Sequence, residues 1–133
     1  MDAWDGWPFA RVYLLLVALG FTLVGAQVFL FHWRAAFHRV TMYGPVLLAP
    51  VIVLAGIVGA VQRDGWLGWA ALAVFALGIL EGAIGVFEHV RGITARIGGF
   101  SLRNVISGPP PLLPVTFAAL ALTGALALLW EAV

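Results

Sequence analysis

Two histidines, each followed two residues later by an arginine, are the best candidates for chemistry in this sequence. His32 precedes Arg34 and His89 precedes Arg91, and each pair stands at the end of a long apolar run. Two neutral imidazoles can ligate a haem iron, and guanidinium groups pair well with carboxylates such as the haem propionates. The two pairs therefore predict a haem b site, with iron ligated by His32 and His89 and the arginines just outside.

A glycine stands seven residues before each histidine, Gly25 before His32 and Gly82 before His89. Seven residues are nearly two helical turns, so each glycine lies on the same helix face as its histidine and deeper in the membrane. A flat macrocycle needs such clearance beside a helix. A quinone is the alternative ligand for this polar end. The plainer interpretation is that histidine and arginine mark helix ends at a membrane surface and that glycines serve helix packing.

Three other polar residues, Gln27, Glu81 and Glu88, lie within the apolar runs. An ionisable residue at membrane depth is costly unless it faces the interior and is hydrogen-bonded or protonated, so Glu81 is a functional candidate. We expect Gln27 and Glu81 to face the bundle interior, where Gln27 or a threonine can hydrogen-bond a neutral Glu81. The alternative is a carboxylate path from Glu81 to Glu88, as in a small oligomeric proton-coupled transporter or channel.

Other catalytic and metal-binding patterns are weaker. A dinuclear metal site in a helical bundle needs Glu-x-x-His on paired helices, which this sequence lacks. Glu88 and His89 are adjacent and point about 100° apart on a helix. Ser101 and Ser107 stand in a loop without an acid and a histidine at catalytic spacing. There is no cysteine, so thiol chemistry is excluded. We therefore do not expect the chain to be an enzyme on its own.

The composition places these residues in a lipid bilayer. Of 133 residues, 63% are hydrophobic and 10% are charged, with a mean hydropathy of +1.07, whereas about a quarter of a soluble domain is charged. The net charge of +1 and the absence of a basic run interleaved with aromatics exclude a nucleic-acid surface. The first apolar run follows acidic residues and is too long for a signal peptide, so we expect it to be a retained span.

Four apolar segments are each long enough to cross the hydrocarbon at about 1.5 Å per residue. They predict an all-α fold, an integral membrane four-helix bundle that forms a single transmembrane domain over residues 1-133. In the loop after the third segment, residues 100-106 are expected to form a short interfacial turn. The four predicted spans cover about 12-31, 42-61, 66-90 and 112-130.

A repeated motif suggests that two related hairpins build the bundle. Residues 44-51 follow the first His-x-Arg and residues 108-115 follow the second, and the two segments share Gly, Pro, Leu, Pro and Val in register. A two-fold axis along the membrane normal would relate hairpins with an even number of crossings. The repeat predicts that the two histidines face each other at similar depth.

The arginines predict the orientation. Five lie in the loops that join the first span to the second and the third to the fourth, and only Arg11 and Arg63 lie on the opposite side. The positive-inside rule places the arginine-rich loops in the cytoplasm and both termini outside it. Of the six tryptophans, all but Trp33 fall on the predicted outer surface, as an aromatic belt would.

The segments 31-37 (FHWRAAF) and 98-110, with GGF, Asn104 and GPP, resemble uncharacterised small bacterial four-span membrane proteins. The resemblance implies a multi-pass protein of a bacterial inner membrane and implies no activity. Combined with the polar end, it predicts a small subunit that binds haem b or a quinone at its cytoplasmic end. We expect such a subunit to act in electron transfer within a larger membrane complex or a homo-oligomer. A purely structural subunit is a further alternative.

Overall fold

The computed structural model describes residues 1–130, and this part of the chain is helical, without strands. The prediction of an all-α membrane bundle is confirmed, because four of the helices are long and apolar enough to cross a bilayer. A 3₁₀ turn at Val40–Met42 leads into α2. The helices are α1 (Phe9–Arg34), α2 (Tyr43–Val61), α3 (Gly65–Arg96), α4 (Leu102–Ser107) and α5 (Leu112–Leu129).

The four long helices form a closed ring in which α1 and α3 each pack against both α2 and α5. Consecutive long helices are antiparallel, so α1 and α3 run in the same direction and occupy opposite corners of the bundle. This arrangement is compatible with two hairpins related by a two-fold axis. It places His32 of α1 and His89 of α3 at the same end of the bundle, although superposition of the two halves stays a prediction.

The repeated motif does not start its two helices at the same position. Gly44 lies in the first turn of α2, whereas Gly108 precedes α5, which begins only at Leu112. The cause is the run of three prolines at 109-111, since a residue before proline is disfavoured in the helical region and proline has no amide hydrogen. The second half therefore enters its membrane helix later than the first.

The α3 helix is longer than the predicted span, which ended near residue 90, and continues to Arg96. It stops before Gly98 and Gly99, which adopt φ values of +94° and +109° that side-chain-bearing residues rarely adopt. The short α4 helix follows, as expected for this loop. Its first turn is capped by Ser101 Oγ, which accepts a hydrogen bond from the amide of Asn104 at 3.2 Å.

Fully buried aliphatic and aromatic side chains fill the middle of the bundle. The rings of Phe21 and Phe117 pack edge to face with their centroids 4.9 Å apart. Leu14, Ile52 and Phe75 are equally inaccessible. Close packing of this kind fills the middle of the bundle beneath the site at the His32 end and makes that part of the bundle rigid.

At the opposite end, Arg63 joins both termini of the described chain. Its side chain is 8% exposed. Its Nε donates to the carbonyl oxygen of Asp2 at 2.8 Å and its Nη1 donates to that of Trp130 at 2.7 Å. The guanidinium also lies 4.3 Å from the ring centroid of Trp4. Trp4 in turn donates from Nε1 to the carbonyl oxygen of Gly59 at 2.7 Å, so the N-terminal segment is bound to the end of α2.

Candidate functional site

A cavity of about 490 Å³ opens at the end of the bundle where α1 and α3 finish. Its volume lies in the range of small-molecule sites, and its lining combines apolar walls with a few polar groups, as such sites do. The apolar lining includes Val28, Phe31, Ile84, Leu113 and Phe117, and the polar lining includes His32, His38, Arg39, Glu81, Glu88, His89, Arg91 and Ser107.

The cavity collects most of the residues that the sequence singled out. His32, Glu81, Gly82, Glu88, His89 and Arg91 all line it. The exceptions are Arg34, Gly25 and Gln27, which lie elsewhere. The two histidines therefore line one site, as the repeat predicted. Three residues that we expected beside them are absent from its lining, and other residues take their places.

The protonation pattern of His89 follows from its hydrogen bond. Its Nδ1 lies 2.8 Å from the carbonyl oxygen of Pro110, in the turn before α5. A carbonyl oxygen can only accept, so Nδ1 carries the hydrogen. In the neutral imidazole Nε2 is then an acceptor, and in the protonated imidazole it is a second donor. This hydrogen bond holds the His89 ring in one orientation. The other ring nitrogen, Nε2, takes no part in the bond.

The imidazole of His32 is not satisfied in the same way. Its Nδ1 is buried and has no hydrogen-bond partner among residues 1–130. Its ring lies near that of Phe37, with centroids 6.2 Å apart. A buried polar nitrogen without a partner costs about 1 to 3 kcal/mol, so His32 lowers the stability of this end of the bundle.

The charged side of the cavity is organised around Glu88. One of its carboxylate oxygens accepts from Nη1 of Arg39 at 2.7 Å, and the other lies 4.0 Å from Nη1 of Arg91, one helical turn away. The Glu88 side chain is 22% exposed, so this pair is only partly screened by solvent. Arg39 therefore links the loop after α1 to α3 across the cavity.

Arg39 takes the place that the sequence assigned to Arg34. Arg34 is the last residue of α1 and is exposed, outside the cavity. After it the chain reverses through Ala36 and Phe37, with φ values of 57° and 44°, and the amide of Phe37 donates to the carbonyl oxygen of His32. This left-handed turn closes the helix end and brings the later arginine back over the bundle.

The surroundings of Glu81 also differ from expectation. Its carboxylate lies against Gly44 in the first turn of α2, where the helix dipole favours negative charge. The expected neighbour, Gln27, is instead exposed. The reason is rotational: Val28 is buried, and the preceding residue on a helix points about 100° away. The prediction that Gln27 faces the interior is therefore wrong.

The contact with Gly44 yields a testable prediction. A Cβ atom at Gly44 would lie 2.5 Å from Oε1 of Glu81, so Gly44→Ala must displace the carboxylate. Because the carboxylate ends a flexible side chain and alanine is the better helix former, we expect a net cost of no more than about 1 kcal/mol in denaturant titrations followed by circular dichroism.

The same change in a Glu81→Ala background serves as the control. There the added methyl group meets no carboxylate, so the cost should largely vanish. An equal cost in both backgrounds would show that Gly44 is needed for some other reason.

The two glycines expected to make room for a macrocycle are used for helix packing. A Cβ atom at Gly25 would lie 2.8 Å from Cβ of Ala49, and one at Gly82 would lie 2.5 Å from Cβ of Ala118. Each glycine thus lets its helix approach the other helix of the same hairpin. Gly82 lines the main cavity and Gly25 lines a separate hollow between α1 and α2.

These contacts do not fit a haem lying beside the two glycines, because neighbouring helices already occupy the space next to them. The histidines themselves remain accessible from the cavity. Among residues 1–130, no group of three or more histidine and acidic side chains is arranged to hold a metal ion. The lining of the cavity offers hydrogen-bonding groups and apolar contacts to a ligand.

Comparison of the chain with protein-family models, with curated proteins and with solved structures finds no match. The interpretation of the site therefore rests on its own geometry.

Proposed function

We propose that this chain is a small membrane subunit that binds a quinone in the cavity between His32 and His89. The observation that carries the proposal is the combination of one apolar cavity with two imidazoles from opposite corners of the bundle. A quinone ring has carbonyl oxygens at opposite edges and an apolar body, so it needs polar groups on two sides and apolar contacts between them.

The two histidines would hold the ring in different ways. His32 lines the cavity, so its imidazole can contact an oxygen of the ligand. His89, whose Nδ1 hydrogen is bound to Pro110, accepts a hydroxyl hydrogen of a quinol when neutral and donates to a quinone oxygen when protonated. A bound quinone supplies two-electron redox chemistry coupled to two protons. The chain would contribute binding and proton exchange, and the redox centre of a larger partner protein would exchange the electrons.

The carboxylates support proton exchange at this position. Glu88 is adjacent to His89 in sequence and lies in a charged group with Arg39 and Arg91 near the cavity opening. Glu81 lines the same cavity on the other side, against α2. The packed rings of Phe21 and Phe117 lie beyond, which favours a site open at one end over a path through the bundle.

We propose further that the cavity end faces the cytoplasm of a bacterium and that both termini lie outside the inner membrane. Arginines 34, 39, 91 and 103 lie at the cavity end, whereas Arg11 and Arg63 lie at the other. The bias follows the positive-inside rule. A quinone would enter the cavity from the lipid, and its reduction would take up protons from the cytoplasmic side.

Calorimetric titration of a short-chain quinone into the protein in nanodiscs tests the proposal. We expect saturable binding with one quinone per chain. The absence of saturable binding would overturn it.

A dithionite-reduced minus oxidised spectrum of protein from haem-replete cells provides a second test. We expect no haem α-band. An α-band that disappears when both histidines are replaced would instead identify a bis-histidine haem.

A further inference from the structure

The cavity reaches the outside of the bundle at a side opening between α3 and the segment that leads into α2. On α3 the lining residues follow one another at spacings of four, three and four, which is one face of a helix. Residues on both walls line the cavity and are also exposed, among them Ile84, at 40%, and Thr41. The α3 wall of the side opening consists of Ile84, Glu88, Arg91 and Ala95, and the facing wall consists of His38, Arg39, Thr41, Met42 and Pro45.

The side opening lies at the edge of the hydrocarbon. The α5 helix has 18 residues, which gives a length of about 27 Å against about 30 Å of hydrocarbon, so its first turn is close to that edge. Gly85 packs against this turn, since a Cβ atom at Gly85 would lie 2.7 Å from Cβ of Pro114. Ile84 is therefore level with the edge, and Glu88 lies one turn farther from the membrane centre. A membrane-borne molecule with a polar head can reach both residues without leaving the lipid.

An ion pair crosses the side opening. Nη1 of Arg39 lies 2.7 Å from Oε2 of Glu88, and the two side chains are 37% and 22% exposed. Arg39 stands outside the helices, between α1 and the 3₁₀ turn. Shortly before it, Ala36 and Phe37 have φ values of 57° and 44°, which residues with side chains rarely adopt. Because this segment lies outside regular helices, its position over the cavity depends on contacts such as the ion pair.

We propose that a quinone enters the cavity through the side opening and that the Arg39–Glu88 ion pair closes this opening. The inference rests on the proposed quinone site and names its route of access. A partly exposed ion pair is weak, because water screens the two charges, so the pair breaks and forms again readily at the membrane surface. When it breaks, the segment 38-42 loses a link to α3, and the cavity becomes accessible from the lipid.

The interface between α1 and α5 is the alternative route, because Phe31 of α1 lines the cavity and is 37% exposed. Large apolar side chains close this interface. The rings of Phe21 and Phe117 pack edge to face there, and Leu120 packs against Gly20. Such packing is rigid and offers no charged contact that breaks and forms again, so we assign the route to the side opening.

A distance measurement tests the closure without any quinone. The chain has no cysteine, so spin labels can be placed at Val40→Cys, which is 83% exposed on the 3₁₀ turn, and at Thr94→Cys, which is exposed on α3. In nanodiscs, electron-electron resonance should give a narrow distribution of distances between the labels. Adding Arg39→Gln should make that distribution longer and broader. Arg34→Gln removes an exposed arginine that does not line the cavity and should leave it unchanged. Identical distributions for all three proteins would overturn the closure.

Binding rates test the route. Stopped-flow quenching of tryptophan fluorescence by a short-chain quinone measures entry and exit in nanodiscs. Arg39→Gln should raise the association and dissociation rates together by about fivefold, as expected for the loss of a partly exposed ion pair. Arg34→Gln is again the control. Unchanged rates for Arg39→Gln, with binding retained, would overturn the inference alone. Failure of the unaltered chain to bind quinone would overturn the proposed quinone site as well.

A matched pair of larger side chains separates the two routes. Ile84→Phe narrows the side opening, whereas Leu113→Phe enlarges a cavity residue on the face of α5 that packs against α1. We expect Ile84→Phe to slow quinone entry more than Leu113→Phe does. Slower entry for Leu113→Phe than for Ile84→Phe would place the route between α1 and α5 and overturn the inference.

Discussion

Replacing His32 by leucine should weaken quinone binding at least about tenfold while leaving the bundle as stable as before or more stable. The two effects separate because Nδ1 of His32 has no partner among residues 1–130. Leucine removes a buried polar atom that the described residues do not satisfy, and it also removes the imidazole that we assign to the ligand. We expect the free energy of unfolding to rise by about 1 kcal/mol in denaturant titration.

His89→Ala should behave differently and provides the contrast. This change also removes the hydrogen bond to the carbonyl oxygen of Pro110, so binding and stability should both fall, with stability lower by about 1 to 2 kcal/mol. Arg34→Ala is the control, because Arg34 is exposed and does not line the cavity. If His32→Leu and Arg34→Ala bound quinone equally well, the assignment of His32 to the ligand would be wrong.

Arg63→Met should be among the most destabilising single changes in the chain, with a loss of about 4 kcal/mol of unfolding free energy. Two carbonyl oxygens, those of Asp2 and Trp130, would lose a charge-assisted donor. Each such bond contributes about 1.5 to 3 kcal/mol, and the stacking on Trp4 adds about 1 kcal/mol. Unfolding by sodium dodecyl sulfate, followed by circular dichroism, measures the change.

Two further variants isolate the geometry of this contact. Arg63→Lys keeps the charge but cannot donate in two directions from one plane, so an intermediate loss is expected. Arg103→Met alters an exposed arginine on α4 and should change the unfolding free energy by no more than about 0.5 kcal/mol. A loss below about 1 kcal/mol for Arg63→Met would mean that the termini are held mainly by other contacts.

The presence of four membrane helices could be predicted from the sequence because hydropathy adds up residue by residue. About twenty consecutive apolar residues favour the bilayer whichever neighbours they meet. The helix ends were less predictable. α3 continued past the expected end near residue 90 because no strong breaker occurs before Gly98, whereas the prolines before Leu112 marked the start of α5 correctly.

The rotation of each helix was decided by tertiary structure. The spans are apolar on nearly all sides, so the periodic pattern that marks the inward face of a soluble helix is weak here. For this reason the sequence does not show that Gln27 is exposed. For the same reason it does not show that Gly25 and Gly82 pack against alanines of neighbouring helices. The fit between helices, and not the character of either helix alone, determines those contacts.

The sequence by itself determined the membrane class, the number of spans and the gathering of His32, Glu81, Glu88 and His89 at one end, because these follow from hydropathy and from position along each helix. Only the tertiary structure decided which arginines serve as partners. Arg39 reaches Glu88 because the chain reverses after α1, and Arg63 binds both termini because three segments of the chain converge on it. Such contacts join residues far apart in sequence, and no local pattern of residues records them.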